Sequence, residues 1–250
     1  MAEITIAELV RNGTLNAEMA AVLWAGVDER VSFLTVAMPR FAGKTTTSNA
    51  ILSLRPDDMH LHHVAGEPQR MEHLKRERLG GYLVVAEFAY APVPGYIWGA
   101  PVRRVFETVH EGGYSLQTAL HAGSVEAGVL EVTRGNGVRD EHASVFKLVL
   151  YIERFGNSYE SLWRRITDLY EVFSVRDGRP VGRSLFRWRP ADDSFEKLAM
   201  PSQWGADHED LAARAEVIEY LAKSDRTSAA EVAAAVAEYR STRSNLGRWP

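Results

Sequence analysis

The chain reads as an α/β protein with a mainly parallel central sheet, a β-rich addition and C-terminal helices. Three observations predict this. The runs VSFLTVAM (31–38) and YLVVAEF (82–88) are apolar and β-branched with little polar alternation, as in strands buried on both faces of a parallel sheet. Helical periodicities separate such runs through residue 134, so strands and helices alternate. Beyond that point the pattern changes to long strand-like stretches around the turn signal Asp177-Gly178-Arg179-Pro180, followed by an Ala-rich helical tail.

Taken in order, residues 5–30 predict two short helices broken at Asn12-Gly13, and residues 31–38 the first buried strand. Residues 44–54 predict a helix that stops at Arg55-Pro56. A weakly alternating strand is expected at 59–65, then a charged, exposed helix at 69–79 stopped by Gly80-Gly81, then the strand at 82–88. A Pro/Gly-rich loop (91–99) leads to a helix at 101–110, a strand at 114–119 and a helix at 124–134. Residues 142–155 predict a strand, residues 159–162 lead into the hairpin region, and the tail is helical from Asp207. The expected division is a helical lead-in (1–30), an α/β core (31–205) and a C-terminal helical segment (206–250).

Composition narrows the function classes. At 250 residues, 25% charged and 46% hydrophobic, the chain is an ordinary globular protein. A net charge of −4 supplies no basic field, so no nucleic-acid partner is expected. With no cysteine there is no disulfide, thiolate metal site or cysteine nucleophile. The opening MAEITIAELVRNG lacks a basic segment followed by an apolar core, and no apolar run approaches the roughly 20 residues that span a bilayer. A cytoplasmic protein is expected, with any membrane link made through a partner.

The sharpest local feature is Ala42-Gly43-Lys44-Thr45-Thr46, between a buried strand and a helix. That placement suits a phosphate-binding loop: backbone N–H groups and the helix N-terminus cradle phosphates, the lysine reaches the β/γ oxygens, and the following hydroxyl binds Mg²⁺. The loop departs from the usual pattern, because Met38 stands where the first glycine belongs and Pro39-Arg40-Phe41-Ala42 replaces a flexible stretch.

An ATPase also needs an acidic residue at the end of a neighbouring strand. Glu87 closes the strand YLVVAEF, Glu67 follows the segment DMHLHHVAG, and His121 follows YSLQTAL. All three would project from strand carboxyl ends, where open α/β sheets bind ligands. Alone, Glu87 reads as an edge carboxylate in a solvated turn and His121 as a hydrogen-bonded core residue; the constellation gives them their functional reading. His60 and His62 share one strand face, but no further ligand is spaced to complete a metal site. Trp163, Trp188 and Trp204 read as core or interface, and Arg103-Arg104 and Arg164-Arg165 as solvated helix faces, or as arginines used in trans by an oligomeric ATPase.

The order of these motifs resembles the secretion-superfamily ATPases of type II secretion, type IV pili and type IV secretion. The resemblance runs from about Ile6 to Phe195. GKTTTSNAIL is similar to the family's phosphate-loop lysine, threonine and helix. HVAGEP is similar to its acidic box, with Glu67 in the second acidic position and Gly66 in the first. LVVAEF resembles the strand that ends in glycine–glutamate, with Ala86 for the glycine and Glu87 retained. SLQTALHAGSVEAGV is similar to the histidine box, with Thr118, His121 and Ala122 in matching places.

The resemblance implies a RecA-like P-loop fold, ATP and Mg²⁺ as ligands, a hexameric ring at the cytoplasmic face of the membrane, and an inner-membrane platform protein among its partners. It also implies roles: Lys44 on the phosphates, Thr45 on Mg²⁺, Glu87 holding the metal or polarising water, with Glu67 and His121 in support. Three departures stand out. Only about 30 residues precede the first strand where the family carries a separate domain, Met38 replaces the loop glycine, and Ala89-Tyr90 replaces a polar pair. An ATPase motor subunit, a catalytically degenerate assembly component of the same machine, and a P-loop small-molecule kinase are the three readings. The kinase reading calls for an arginine-rich lid that the sequence does not display.

Overall fold

The computed structural model describes residues 4–39, 41–156, 161–205 and 207–246. Two helices, α1 (Ile6–Arg11) and α2 (Ala17–Asp28), precede strand β1 (Ser32–Val36). Each starts on a side-chain cap: Thr5 accepts from the Glu8 amide and Asn16 from the Met19 amide. Then come α3 (Lys44–Leu52), β2 (Leu61–His63), α4 (Pro68–Glu77), β3 (Tyr82–Val84), β4 (Glu87–Phe88), β5 (Tyr96–Ile97), α5 (Ala100–Gly112) and β6 (Ser115–Leu120). Helix α6 (Val125–Leu130) runs into a π turn (Glu131–Gly135) and is followed by α7 (Asp140–Ala143). Strands β7 (Phe146–Phe155), β8 (Trp163–Arg176), β9 (Arg179–Arg189) and β10 (Ser194–Lys197) precede α8 (His208–Lys223) and α9 (Ala229–Leu246).

Among the described residues the strands form one mixed sheet in the order β10-β9-β8-β7-β1-β6-β3-β2, with β4 and β5 attached beside β6. Strand β1 lies at its centre, parallel to both β6 and β7, and all five of its residues are buried. The half from β2 to β7 is parallel, as the apolar runs predict. The β-rich addition joins the same sheet antiparallel to β7. Its central turn is two residues long, with Asp177 at φ 51° and Gly178 at φ 81°, the left-handed pair that a tight hairpin needs.

Helices cover both faces. Phe33, Tyr82, Leu148 and Leu150 face α1, α2, α3, α8 and α9, while Leu34, Val36, Leu83 and Val149 face α4, α5 and α6. Helix α5 shows why such helices form here: Val102, Val105, Phe106 and Val109 make one buried stripe at helical spacing.

Four sequence expectations change. The lead-in, core and tail are not separate in space, because α1, α2, α8 and α9 share one apolar cluster with the sheet. The strand expected at 82–88 breaks after Val84, and the chain resumes pairing at Glu87–Phe88 with both β5 and β6. The loop at 91–99 contains β5. Residues 140–143 form a helical turn rather than the start of a strand, since the Ser144 hydroxyl donates to the Asp140 carbonyl and the Asp140 carboxylate accepts from the Gly178 amide.

Candidate functional site

Three strand ends meet above the sheet. The Ala37 amide donates to the Leu120 carbonyl at 3.3 Å, which carries the β1 exit alongside the β6 exit. Phe88 of β4 pairs with Leu120, so Glu87 reaches the same place from the other side of β6. The loop after β1 then turns into α3, whose position is fixed by a buried contact between the Thr35 and Ser48 hydroxyls at 2.9 Å.

The loop backbone carries two left-handed residues, Phe41 (φ 61°) and Gly43 (φ 90°), on either side of buried Ala42. Alternation of this kind makes a concave array of amides suited to an anion. Glycine is favoured at 43 by its positive φ, and a Cβ there would press on the Arg164 Cδ at 3.0 Å. At 41 a phenylalanine accepts the left-handed conformation, a strain of roughly 1–2 kcal/mol. Arg164 opposes that strain by donating from Nε and Nη2 to the Phe41 carbonyl at 3.1 and 2.9 Å. The carbonyl and amide of a trans peptide point in opposite directions, so this clamp turns the Ala42 N–H away from Arg164. Pro39 leads into this turn, and Arg40 lies outside the described residues.

Helix α3 begins at Lys44 with Gly43 as a cap that offers no side chain and with no acidic residue in its first turn. Among the described residues no acceptor engages the amides of Lys44, Thr45 and Thr46. These N–H groups and the helix dipole therefore present an anion site.

Lys44, Glu87 and His121 form a compact trio. The Lys44 Nζ lies 3.5 Å from Glu87 Oε2 and 3.1 Å from His121 Nε2. His121 Nε2 lies 3.0 Å from Glu87 Oε1. The other ring nitrogen, Nδ1, donates to the Met38 carbonyl at 3.0 Å, which fixes the ring plane. The side chains of Lys44 and Glu87 are 8% and 4% exposed. Burial pulls the Lys44 ammonium below the ordinary lysine range, and the adjacent Glu87 carboxylate partly offsets that. Although Glu87 Oε1 is close to the imidazole, it receives no directed hydrogen bond and is fully buried. An orphaned carboxylate oxygen beside a lysine is a position for a proton donor, a water or a cation.

The trio and loop line a cavity of about 630 Å³ together with Met38, Thr45, Thr46 and Tyr96. Thr45 and Glu87 both line this cavity, so a hydroxyl and a carboxylate suited to an oxygen-ligated Mg²⁺ are present there. Glu67 is not brought here. It caps α4, and its carboxylate accepts from the Ala65 amide at 3.0 Å on the exposed surface. Its neighbour Gly66 is pinned by Arg104, which donates to the Gly66 carbonyl at 2.9 Å.

The remaining candidates resolve into structural roles. His62 bonds the Gly80 carbonyl at 3.0 Å and meets Tyr114 edge-on; burial lowers its affinity for a proton. Among the described residues no cluster of three metal-ligating side chains occurs. The four arginines expected on solvated helix faces are all engaged: Arg103 with the Asn136 carbonyl, Arg104 with Gly66, Arg164 with Phe41 and Arg165 with Asp193. Arg164 and Arg165 lie on strand β8, not on a helix. Arg164 is the site residue that sequence reading misses, since 123 positions separate it from Phe41 and no local pattern marks the pair. Trp163 stacks on Phe155 with ring centroids 4.2 Å apart, and Trp188 donates to Asp193. Trp204 packs partly buried against the α2 face.

No family model matches the chain. An uncharacterized protein of Methanocaldococcus jannaschii is 26% identical over 220 residues, covering 76% of this chain and 77% of that protein. Among solved structures, the VirB11 ATPase from the Brucella suis type IV secretion system, in complex with sulphate, aligns with a TM-score of 0.43 and 15% identity over 60% of this chain. The chain spans half the length of that protein. Among the described residues no helix is long and apolar enough to cross a membrane.

Proposed function

We propose that the protein binds ATP with Mg²⁺ at the β1–α3 loop and hydrolyses it, as a motor subunit of a type II secretion, type IV secretion or type IV pilus machine. The observation that carries the nucleotide reading is the convergence of an amide cradle at 41–46 with Lys44, Glu87 and His121 in one cavity. The secretion reading is supported by the ordered motif series in the sequence. It brings with it a RecA-like core, a hexameric ring, an inner-membrane platform protein as partner, and a place at the cytoplasmic face of the membrane.

In this reading the amides of 42–46 bind and orient the β- and γ-phosphates, and Lys44 exchanges Glu87 for the γ-phosphate oxygens. Thr45 and Glu87 would hold Mg²⁺, which neutralises charge on the phosphates when bound. Once Lys44 moves to the phosphate, Oε2 of Glu87 is free for the metal or for a water, and Oε1 stays against His121. His121 is fixed by the Met38 carbonyl and so positions that carboxylate.

A second reading, a subunit that binds nucleotide without turnover, is favoured by one observation: Glu67 lies outside the cavity, leaving Glu87 as the one carboxylate among its lining residues. Purified protein assayed for ATP binding and hydrolysis with Mg²⁺, alongside Lys44→Ala, separates the two. Turnover lost in Lys44→Ala supports the motor, binding without turnover supports the second reading, and no binding at millimolar ATP removes both.

A further inference from the structure

The C-terminal helices carry a groove that the nucleotide reading does not use. Between α8 and α9 lies a cavity of about 520 Å³. Each wall is a stripe at i, i+4, i+7 spacing: Ala213, Val217 and Tyr220 on α8, and Ala235, Tyr239 and Thr242 on α9. The groove shares no lining residue with the cavity at Lys44.

Contacts to the rest of the protein set the spacing of the two helices. Arg214 of α8 lies over the Trp24 ring at 4.7 Å and pairs with Asp28 of α2 at 2.5 Å. Arg240 of α9 reaches the same carboxylate at 2.5 Å. Across the groove floor, Tyr239 donates to Asp210 at 2.6 Å. The turn between the helices is tied to α1, where Thr5 donates to the Thr227 carbonyl at 2.7 Å and Arg11 pairs with Asp225. The groove is therefore formed in advance, which lowers the entropic cost of filling it.

Its lining suits one kind of occupant. Both walls are helix surfaces rich in alanine, so a third helix can approach closely and set its side chains between theirs. Tyr220 stands at the rim, 59% exposed, as an aromatic contact of the kind that carries binding energy. The free charges of the rim have one sign. Glu216 on α8 and Glu238 on α9 are both exposed, and among the described residues neither joins an ion pair. Arg226, the cation of the lining, is engaged by Glu231 at 3.3 Å. A second copy seated groove to groove would bring these carboxylates together, which disfavours self-pairing.

We infer that the α8–α9 groove binds an amphipathic helix of a partner protein, with lysine or arginine flanking its apolar stripe on both sides. The stripe packs on Val217, Tyr220 and Ala235, and the flanking cations meet Glu216 and Glu238. The inference is independent of the nucleotide reading.

The test uses three labelled peptides of about 18 residues, read by fluorescence anisotropy on the full chain. One is a leucine/lysine peptide with leucines at i, i+3, i+4 and i+7, the second carries glutamate for every lysine, and the third is a leucine/lysine peptide with strictly alternating leucines. The helical lysine peptide is expected to bind about tenfold or more tightly than either of the others. Glu216→Lys/Glu238→Lys should reverse the order of the two helical peptides. Ala234→Trp, which fills the groove from its exposed wall, should weaken the helical lysine peptide about tenfold. Equal affinities, no binding by any peptide, an order unchanged in the charge variant, or full binding by Ala234→Trp each overturn the inference. Sedimentation of the chain alone tests the remaining occupant: self-association that Ala234→Trp abolishes would assign the groove to a second copy and overturn the inference too.

Discussion

The guanidinium of Arg164, on strand β8, donates two hydrogen bonds to the carbonyl of Phe41 in the β1–α3 loop. The antiparallel addition to the sheet is thereby coupled to the loop it flanks. Because the Phe41 peptide orients the Ala42 amide, Arg164 acts on any bound phosphate through the backbone and is a positioning residue. Arg164→Ala should weaken Mg–ATP binding about tenfold, in line with one charge-assisted donor lost from the cradle support. Circular dichroism and melting should stay close to wild type. Titration calorimetry on the variant checks this, and an unchanged dissociation constant would sink the clamp.

Phe41 makes an unusual stability prediction. In most loops alanine is better than glycine because glycine loses more entropy on folding. At 41 the order should reverse, since φ is 61° and the side chain is 71% exposed. Phe41→Gly should be more stable than Phe41→Ala by about 1 kcal/mol. Chemical denaturation of the two variants reads the difference, and an alanine variant as stable as the glycine one would show that the loop relaxes out of the left-handed region.

Lys44 and Glu87 share a buried site, so each is needed to compensate the other's desolvation. Lys44→Met alone leaves the Glu87 carboxylate buried without its cation and should cost about 3 kcal/mol. The double variant Lys44→Met/Glu87→Gln removes both charges and should recover most of that loss. Denaturation midpoints for the four proteins of the cycle decide it, and additive losses would contradict the pairing. Nucleotide binding should be lost in both Lys44 variants.

Glu87→Gln keeps the shape of the side chain and one acceptor oxygen. It should retain ATP binding within a few-fold and lower turnover by about 10²–10³-fold. A steady-state phosphate-release assay run beside an equilibrium binding measurement separates these effects. Turnover left intact would remove Glu87 from the chemistry.

Asp193 offers a check on acid stability away from the site. Its hydrogen bonds from Arg165 and Trp188 lower the carboxyl pKa to about 2, below the unfolded value near 4. The folded-state pKa is depressed, so the contribution is present above about pH 4 and is lost as pH falls toward about 2. Asp193→Asn should shrink the difference in melting temperature between pH 4 and pH 2. The effect is small because the pair is solvent-exposed, and equal acid sensitivity in the two proteins would show that the ion pair contributes nothing.

The sequence by itself determined the parallel half of the sheet and the place of the loop between β1 and α3. Strands such as Ser32–Val36 are buried along their whole length because both faces are covered, and helix starts such as Gly43-Lys44 are local in sequence. His121 was legible because it follows the carboxyl end of β6, and Glu87 because it lies just beyond β3, where the chain resumes as β4 beside the β6 exit. Glu67 was equally plausible by that rule, yet β2 lies at the sheet's edge and its exit turns outward into α4. What only tertiary structure decided is long-range pairing. The Arg164 clamp on Phe41, the packing of α1 and α2 beside α8, and the union of the β-rich addition with the central sheet each join segments far apart in the chain. Such pairings depend on which surfaces bury together, and that information is spread over the whole core rather than written in any one motif.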